Sequence, residues 1–251
     1  ETTRVERMER ELQLARGIQR GLLPRQLPDT TGWDVAATYV AAREVGGDLY
    51  DFLHIDDENL GIIVADVADK GLPASLFMVS TRALTRAAAF EDDSPAGVLG
   101  RVNDLLVPDA DGGMFVTAVY ALVSFPKAEV TYANAGHNPP IVFHADTREV
   151  ECLREHRGIA LGVVAGARVP EATIQMNSGD YLILYTDGVT EAYSDRLDEF
   201  FGDQRLFRAI SESDADTAEA MLAAIQYAIS GFVEDTPPFD DLTIIVIRYC
   251  G

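Results

Sequence analysis

Four aspartate positions stand where carboxylates are poorly tolerated. Asp48 follows Val45-Gly46-Gly47, Asp66 lies inside Ile62-Ile63-Val64-Ala65-Asp66-Val67, and Asp187 follows the apolar run Tyr181-Leu182-Ile183-Leu184-Tyr185-Thr186. The fourth position is the pair Asp240-Asp241, which opens the apolar stretch that closes the chain. A carboxylate set into an apolar strand is costly to bury unless a cation or dense hydrogen bonding compensates it, and no Arg or Lys is near enough in sequence to serve all four. Their repetition points to a shared cation. Oxygen-only ligands suit Mg²⁺ or Mn²⁺, whereas zinc or copper would call for His or Cys that these segments lack. Carboxylates crowded round one spot also raise one another's pKa without a metal. Taken singly, each aspartate reads more readily as a turn, a cap or a solvated residue than as a functional one, and Gly46-Gly47 can be a bulge and Asp187-Gly188 a hairpin turn. Only the joint pattern points to a metal cluster.

The elements that must position these residues can be read from periodicity. Residues 1–23 form a helical pattern in which Val5, Met8, Leu12, Ala15, Gln19 and Leu22 recur at spacings of three and four, and Leu-Pro steps at Leu23 and Leu27 end it. From Trp33 the stretches WDVAATYVAAR, DLYDFLHID and GIIVADV read as an antiparallel meander. Helices are expected over 72–90 and 95–107, then strands in MFVTAVYALVSF, EVTYANA, PPIVFHA, REVECL and YLILYTDGV. Helices over 203–212 and 215–233 and a last strand, DLTIIVIRY, complete the order. Segregated runs of this kind indicate an α+β fold with antiparallel sheets, not an alternating βαβ fold. Antiparallel neighbours set the exit of one strand beside the entry of the next, so Asp187 and Asp240 can meet at one sheet edge.

Composition narrows the partners. Against 20 Lys and Arg stand 41 Asp and Glu, a net charge of −21 that would repel nucleic acid and anionic membranes over most of the surface. Cys152 and Cys250 are far apart, which indicates neither a disulfide framework nor a thiolate metal site. No apolar run is long enough for a membrane span and no signal pattern opens the chain, so a cytoplasmic protein is expected. The chain opens inside a helical pattern without an initiating Met, which reads as a piece of a longer protein.

Five ordered segments carry a family resemblance: EVGGDLYDF (44–52), ADVADKGLPASLFM (65–78), YANAGHNPP (132–140), ILYTDGVTEA (183–192) and FDDLTIIVIR (239–248). Over about residues 10–249 the chain resembles the PPM-type metal-dependent serine/threonine phosphatases, in particular the bacterial branch of sporulation and sigma-factor regulators. The resemblance implies an α/β sandwich, two antiparallel sheets face to face with helices outside, over residues 25–251; the helical pattern before it is expected to be a connector helix over 1–24. It implies two Mn²⁺ or Mg²⁺ ions. Asp48 would bind one, Asp66 would bridge both, the Val67 carbonyl would complete the shell of the second, and Asp187 with Asp240 or Asp241, Asp240 being favoured, would bind the metal shared with Asp66. The substrate implied is a phosphoserine or phosphothreonine protein, such as an anti-sigma-factor antagonist of the STAS type. A degenerate phosphatase fold used only for binding is the alternative, and a metal-dependent nuclease is disfavoured by the missing basic surface.

Three further features are set beside that cluster. Ala68-Asp69-Lys70 departs from the Ser-Gly-containing version of relatives, which bears on the loop's conformation. His137 is either a proton donor or the fixer of a turn between strands, and Arg43 and Arg154 either meet a substrate phosphate or lie solvated. The N-terminal stripe, with a Glu6–Arg10 pair to support its helix, would link an upstream sensor to this domain and pair two copies in the parent protein.

Overall fold

Alternation along the strands decides the architecture. In β3 (Asn59–Val67) Ile62 and Val64 face one side and Ile63 and Ala65 the other, and both sides are buried. In β10 (Tyr181–Tyr185) Leu182 and Leu184 likewise oppose Ile183 and Tyr185. Successive side chains point to opposite faces of a strand, so a run that is apolar throughout belongs to a sheet covered twice. The computed structural model describes residues 2–24, 26–110 and 113–251 and contains two such sheets.

One sheet has the order β1 (Trp33–Val40), β13 (Leu242–Tyr249), β10, β6 (Ile141–His144), β7 (Glu149–Cys152), all antiparallel. The other runs β2 (Leu49–His54), β3, β4 (Val116–Ser124), β5 (Glu129–Ala135), with β5 also pairing β9 (Glu171–Gln175) and, in parallel, the short β8 (Arg157–Gly158). Trp33, Ile62, Val64, Val119, Leu182 and Ile245 belong to the core between the sheets. The outer face of the second sheet is covered by α2 (Leu72–Ala89) and α3 (Pro95–Leu106), that of the first by α4 (Gly202–Ser211) and α5 (Ala218–Val233). This is the expected sandwich, with one parallel pair added.

The helix starts follow from their caps. Ser94 Oγ accepts the Gly97 N–H at 3.0 Å to open α3, and Thr217 Oγ1 accepts that of Ala220 at 3.1 Å to open α5. The expected meander is corrected at its first strand: β1 pairs β13 along its whole length, from Trp33 opposite Tyr249 to Val40 opposite Leu242, and takes no part in the β2–β3–β4 meander.

The N-terminal helix α1 spans Thr2–Leu22. Of the expected stripe, Leu12, Ala15 and Leu22 are partly covered and Gln19 is buried by this chain's own residues, while Leu14 and Ile18 on another face are about 70% exposed. The side chains of Val5 and Met8 lie outside the described residues. Among the described residues of this helix, the i,i+4 ion pair joins Arg7 to Glu11 at 3.0 Å, not Glu6 to Arg10. No helix among the described residues is long and apolar enough to cross a membrane.

Candidate metal centre

Each sheet brings two carboxylates to the same end of the sandwich. Asp48 immediately precedes β2 and, because Leu49 pairs with Ala65, lies across from Asp66 near the end of β3. Asp187 follows β10 by two residues and Asp240 precedes β13 by two, and these strands are antiparallel neighbours, with the Thr186 N–H donating to the Thr243 carbonyl at 3.1 Å. Asp66, Asp187 and Asp240 line one cavity of about 480 Å³, together with Lys70, Thr117 and Arg157. A smaller recess beside it, about 10 Å³, is lined by Gly47, Asp66, Lys70 and Asp240.

The carboxylates differ in their holding. Asp48, 2% exposed, accepts the hydroxyls of Thr186 at 2.7 Å and Thr243 at 2.6 Å through Oδ2. Burial first, and then the neighbouring Asp66, push its carboxyl well above the usual range against the pull of those hydroxyls. Asp66 is pushed up to about 8 by burial and by the charges of Asp187, Asp240 and Asp241. Asp187 rises to about 6 through burial, Glu191 and Asp240, opposed by the Gly188 N–H and Lys70.

Asp240 and Asp241 part company. The Asp240 carboxylate faces the cavity and meets Lys70 Nζ at 2.7 Å. Asp241, 7% exposed, accepts the Ala42 N–H at 2.8 Å through Oδ1 and the Gly47 N–H at 2.7 Å through Oδ2. Gly47 leaves a cradle: a Cβ there would lie 3.2 Å from the Val67 carbonyl oxygen and 3.5 Å from Asp66 Oδ1. Among the described residues no three His, Cys, Asp or Glu side chains close round a single point. Asp48 is turned onto its threonines and Asp240 onto Lys70. The donor set, carboxylates with a backbone carbonyl at one end of a cavity, is nonetheless that of a hard divalent cation, and the residues fit one.

His137, 2% exposed, lies between Thr117 Oγ1, 2.8 Å from Nδ1, and the Tyr185 carbonyl, 3.1 Å from Nε2. A carbonyl only accepts, so Nε2 carries the proton and Nδ1 takes the hydroxyl's. Burial lowers the pKa of this ring to about 4, so it is neutral at ordinary pH and fixes the turn after β5. Arg154 pairs with Asp203 at 2.8 Å and does not line the cavity, whereas Arg43 lines the small recess. Lys70 and Arg157 are the cations of the cavity wall; Lys70 lies within the segment 65–78, whereas nothing in the residues around Arg157 marks it.

The family model for stage II sporulation protein E (SpoIIE) matches residues 56–249. The chain is 30% identical to the protein IcfG of Synechocystis over 94% of its own length and 41% of IcfG. It is 30% identical to the phosphoserine phosphatase RsbU of Bacillus subtilis over 95% of its own length and 70% of RsbU. It thus spans about two fifths of one of these relatives and most of the other. Among solved structures, the SiaA PP2C domain of Pseudomonas aeruginosa superposes with a TM-score of 0.87 over 99% of this chain and 100% of that one, at 22% identity.

Proposed function

Because the chain belongs to the SpoIIE family of PP2C-type phosphatases, we propose that it is a metal-dependent protein serine/threonine phosphatase. Asp48, Asp66, Asp187 and Asp240, with the Val67 carbonyl, would hold two Mn²⁺ or Mg²⁺ ions. One observation carries this reading: carboxylates from both sheets gather at one cavity, where burial and mutual repulsion raise Asp66 and Asp187 above the ordinary range. Bound there, such ions supply an activated water and neutralise phosphoryl oxygens. The chain's own residues hold and orient. Thr186 and Thr243 fix the Asp48 carboxylate, Asp241 ties the loop before it, and Asp66 stands where recess and cavity meet. Lys70 and Arg157 bring positive charge to the cavity wall and are better placed than Arg154 to meet phosphoryl oxygens.

Phosphate release from a phosphoserine peptide and from an aryl phosphate, with Mn²⁺ or Mg²⁺ and with chelator, tests the reading. Chelator should abolish turnover. A rate indifferent to both metal and chelator would sink it, and metal binding without turnover on either substrate would favour the degenerate, binding-only alternative. The substrate class proposed is a phosphorylated anti-sigma-factor antagonist of the STAS type, the class the sporulation and sigma-factor branch implies. A purified phospho-STAS protein cleaved no faster than an unrelated phosphoprotein would remove it. Residues 1–24 would join the domain at 25–251 to an upstream sensor and pair two copies, for which exposed Leu14 and Ile18 offer an apolar contact. Sedimentation with and without residues 1–24 checks the pairing, which equal monomer masses would rule out.

A further inference from the structure

The segment before Asp48 is held by two side chains that reach it from opposite ends of the chain. Gln19 in α1 is 5% exposed and commits both ends of its amide to one residue. Its Nε2 donates to the Gly46 carbonyl at 2.6 Å, and its Oε1 accepts the Gly46 N–H at 3.0 Å. Asp241 takes the neighbouring N–H groups of Ala42 and Gly47 at 2.8 and 2.7 Å. Among the described residues no backbone-to-backbone hydrogen bond outside helices and strands holds residues 42–47, so these side chains replace a ladder. A Cβ on Gly46 would collide with Tyr39 Oη and the Asp241 carboxylate, so the backbone fits closely on that side too. A Cβ on Gly47, next in line, would lie 3.2 Å from the Val67 carbonyl oxygen and 3.5 Å from Asp66 Oδ1, so this backbone too has little room, and Asp48 follows it.

A glutamine weakens an apolar stripe, and the function proposed above gives it no role. Its geometry does. We propose that Gln19 is a positioning residue for the metal centre: by pinning both polar groups of Gly46 it sets Gly47 in its cradle and Asp48 beside Asp66, which makes α1 part of the centre's support. This rests on the phosphatase reading. It also reaches beyond it, because it assigns a role to a residue outside the carboxylate cluster and outside both sheets.

Gln19→Leu in the whole chain removes both hydrogen bonds at similar volume, and Leu12→Ala loosens the same helix without touching the loop. Three measurements separate positioning from packing: Mn²⁺ affinity by calorimetry, thermal midpoint, and hydrogen exchange of the Gly46 and Gly47 amides in chelator. Gln19→Leu should weaken Mn²⁺ binding by about tenfold or more, as loss of a group that orients a ligand does. It should also speed exchange at both glycines and lower kcat on an aryl phosphate more than it changes KM. Leu12→Ala should lower the midpoint yet hold Mn²⁺ affinity within about twofold of the parent. Unchanged exchange and affinity in Gln19→Leu, or equal losses in Leu12→Ala, would overturn the inference. Should Gln19→Leu fail to fold, Gln19→Met is judged by the same outcomes. A parent chain that binds no Mn²⁺ would defeat the phosphatase reading, and the exchange experiment, which needs no metal, would still decide the role of Gln19.

Discussion

Ionising Asp66 in the metal-free protein works against folding, because burial and the charges of Asp187, Asp240 and Asp241 raise its folded pKa to about 8 from the ordinary 3.8. A carboxyl whose folded pKa is raised favours its neutral form. Its contribution is therefore intact below the unfolded value and is lost as pH climbs through the window between the two. Asp66→Asn should then raise the thermal midpoint in chelator at pH 8 or above by a few degrees, on the order of 2 kcal/mol, and leave it unchanged near pH 4. With Mn²⁺ the order should reverse, the parent gaining stability and the variant not, while turnover falls by about a hundredfold or more. A midpoint that drops in chelator at pH 8 would give Asp66 a structural role instead. The carboxylates were legible in the sequence because a charge inside an apolar run violates a strong rule. Thr186 and Thr243 were not, since each becomes an Asp48 partner only when β10 and β13 pair. Nor does sequence separate Asp240 from Asp241; one faces the cavity and the other the loop at 42–47.

Strands and helices were mostly legible because their runs are long and strongly periodic, whereas pairing was not. Neighbours in sequence usually pair in space, which made a β1–β2 meander the default, and nothing in WDVAATYV states that both its faces will be covered in the other sheet beside β13. The short β8, with two residues, and the β11–β12 hairpin (Tyr193–Ser194 with Glu199–Phe200) fall below what periodicity can reveal. The loop after β3 shows the opposite case, a departure legible in sequence that has a structural cost. Asp69, within the Ala68-Asp69-Lys70 stretch, adopts φ +122°, a region that favours glycine. Its side chain accepts the Lys70 N–H at 2.7 Å, which offsets part of the strain. Asp69→Gly should stabilise the protein by about 1 kcal/mol, or about 2–4 °C in midpoint for a chain of this size, in calorimetry with and without metal. A lower midpoint would mean that the lost hydrogen bond and the added freedom of the unfolded chain outweigh the strain.

At the scale of the whole molecule the proposed centre is shared, since Asp48 and Asp66 belong to one sheet and Asp187 and Asp240 to the other, so it would form only when the sandwich is closed. What reaches it is set by the net charge of −21. Lys70 and Arg157 are local, and Asp69, Glu191 and the carboxylates surround them, so an approaching phosphopeptide meets a field of its own sign. Salt shortens the reach of that field to about 8 Å at physiological ionic strength, from about 30 Å at about 0.01 M. For a phosphoserine peptide flanked by acidic residues, kcat/KM should therefore rise as ionic strength is raised across that range. A peptide flanked by lysines should show the reverse, and the change should sit in KM, because long-range steering alters encounter rather than the step at phosphorus. The two peptides must be compared at saturating Mn²⁺, since salt also screens the attraction of the cation for its ligands. If both respond in the same direction, the salt effect belongs to the metal centre or to the fold. In that case the surface charge plays no part in choosing the substrate.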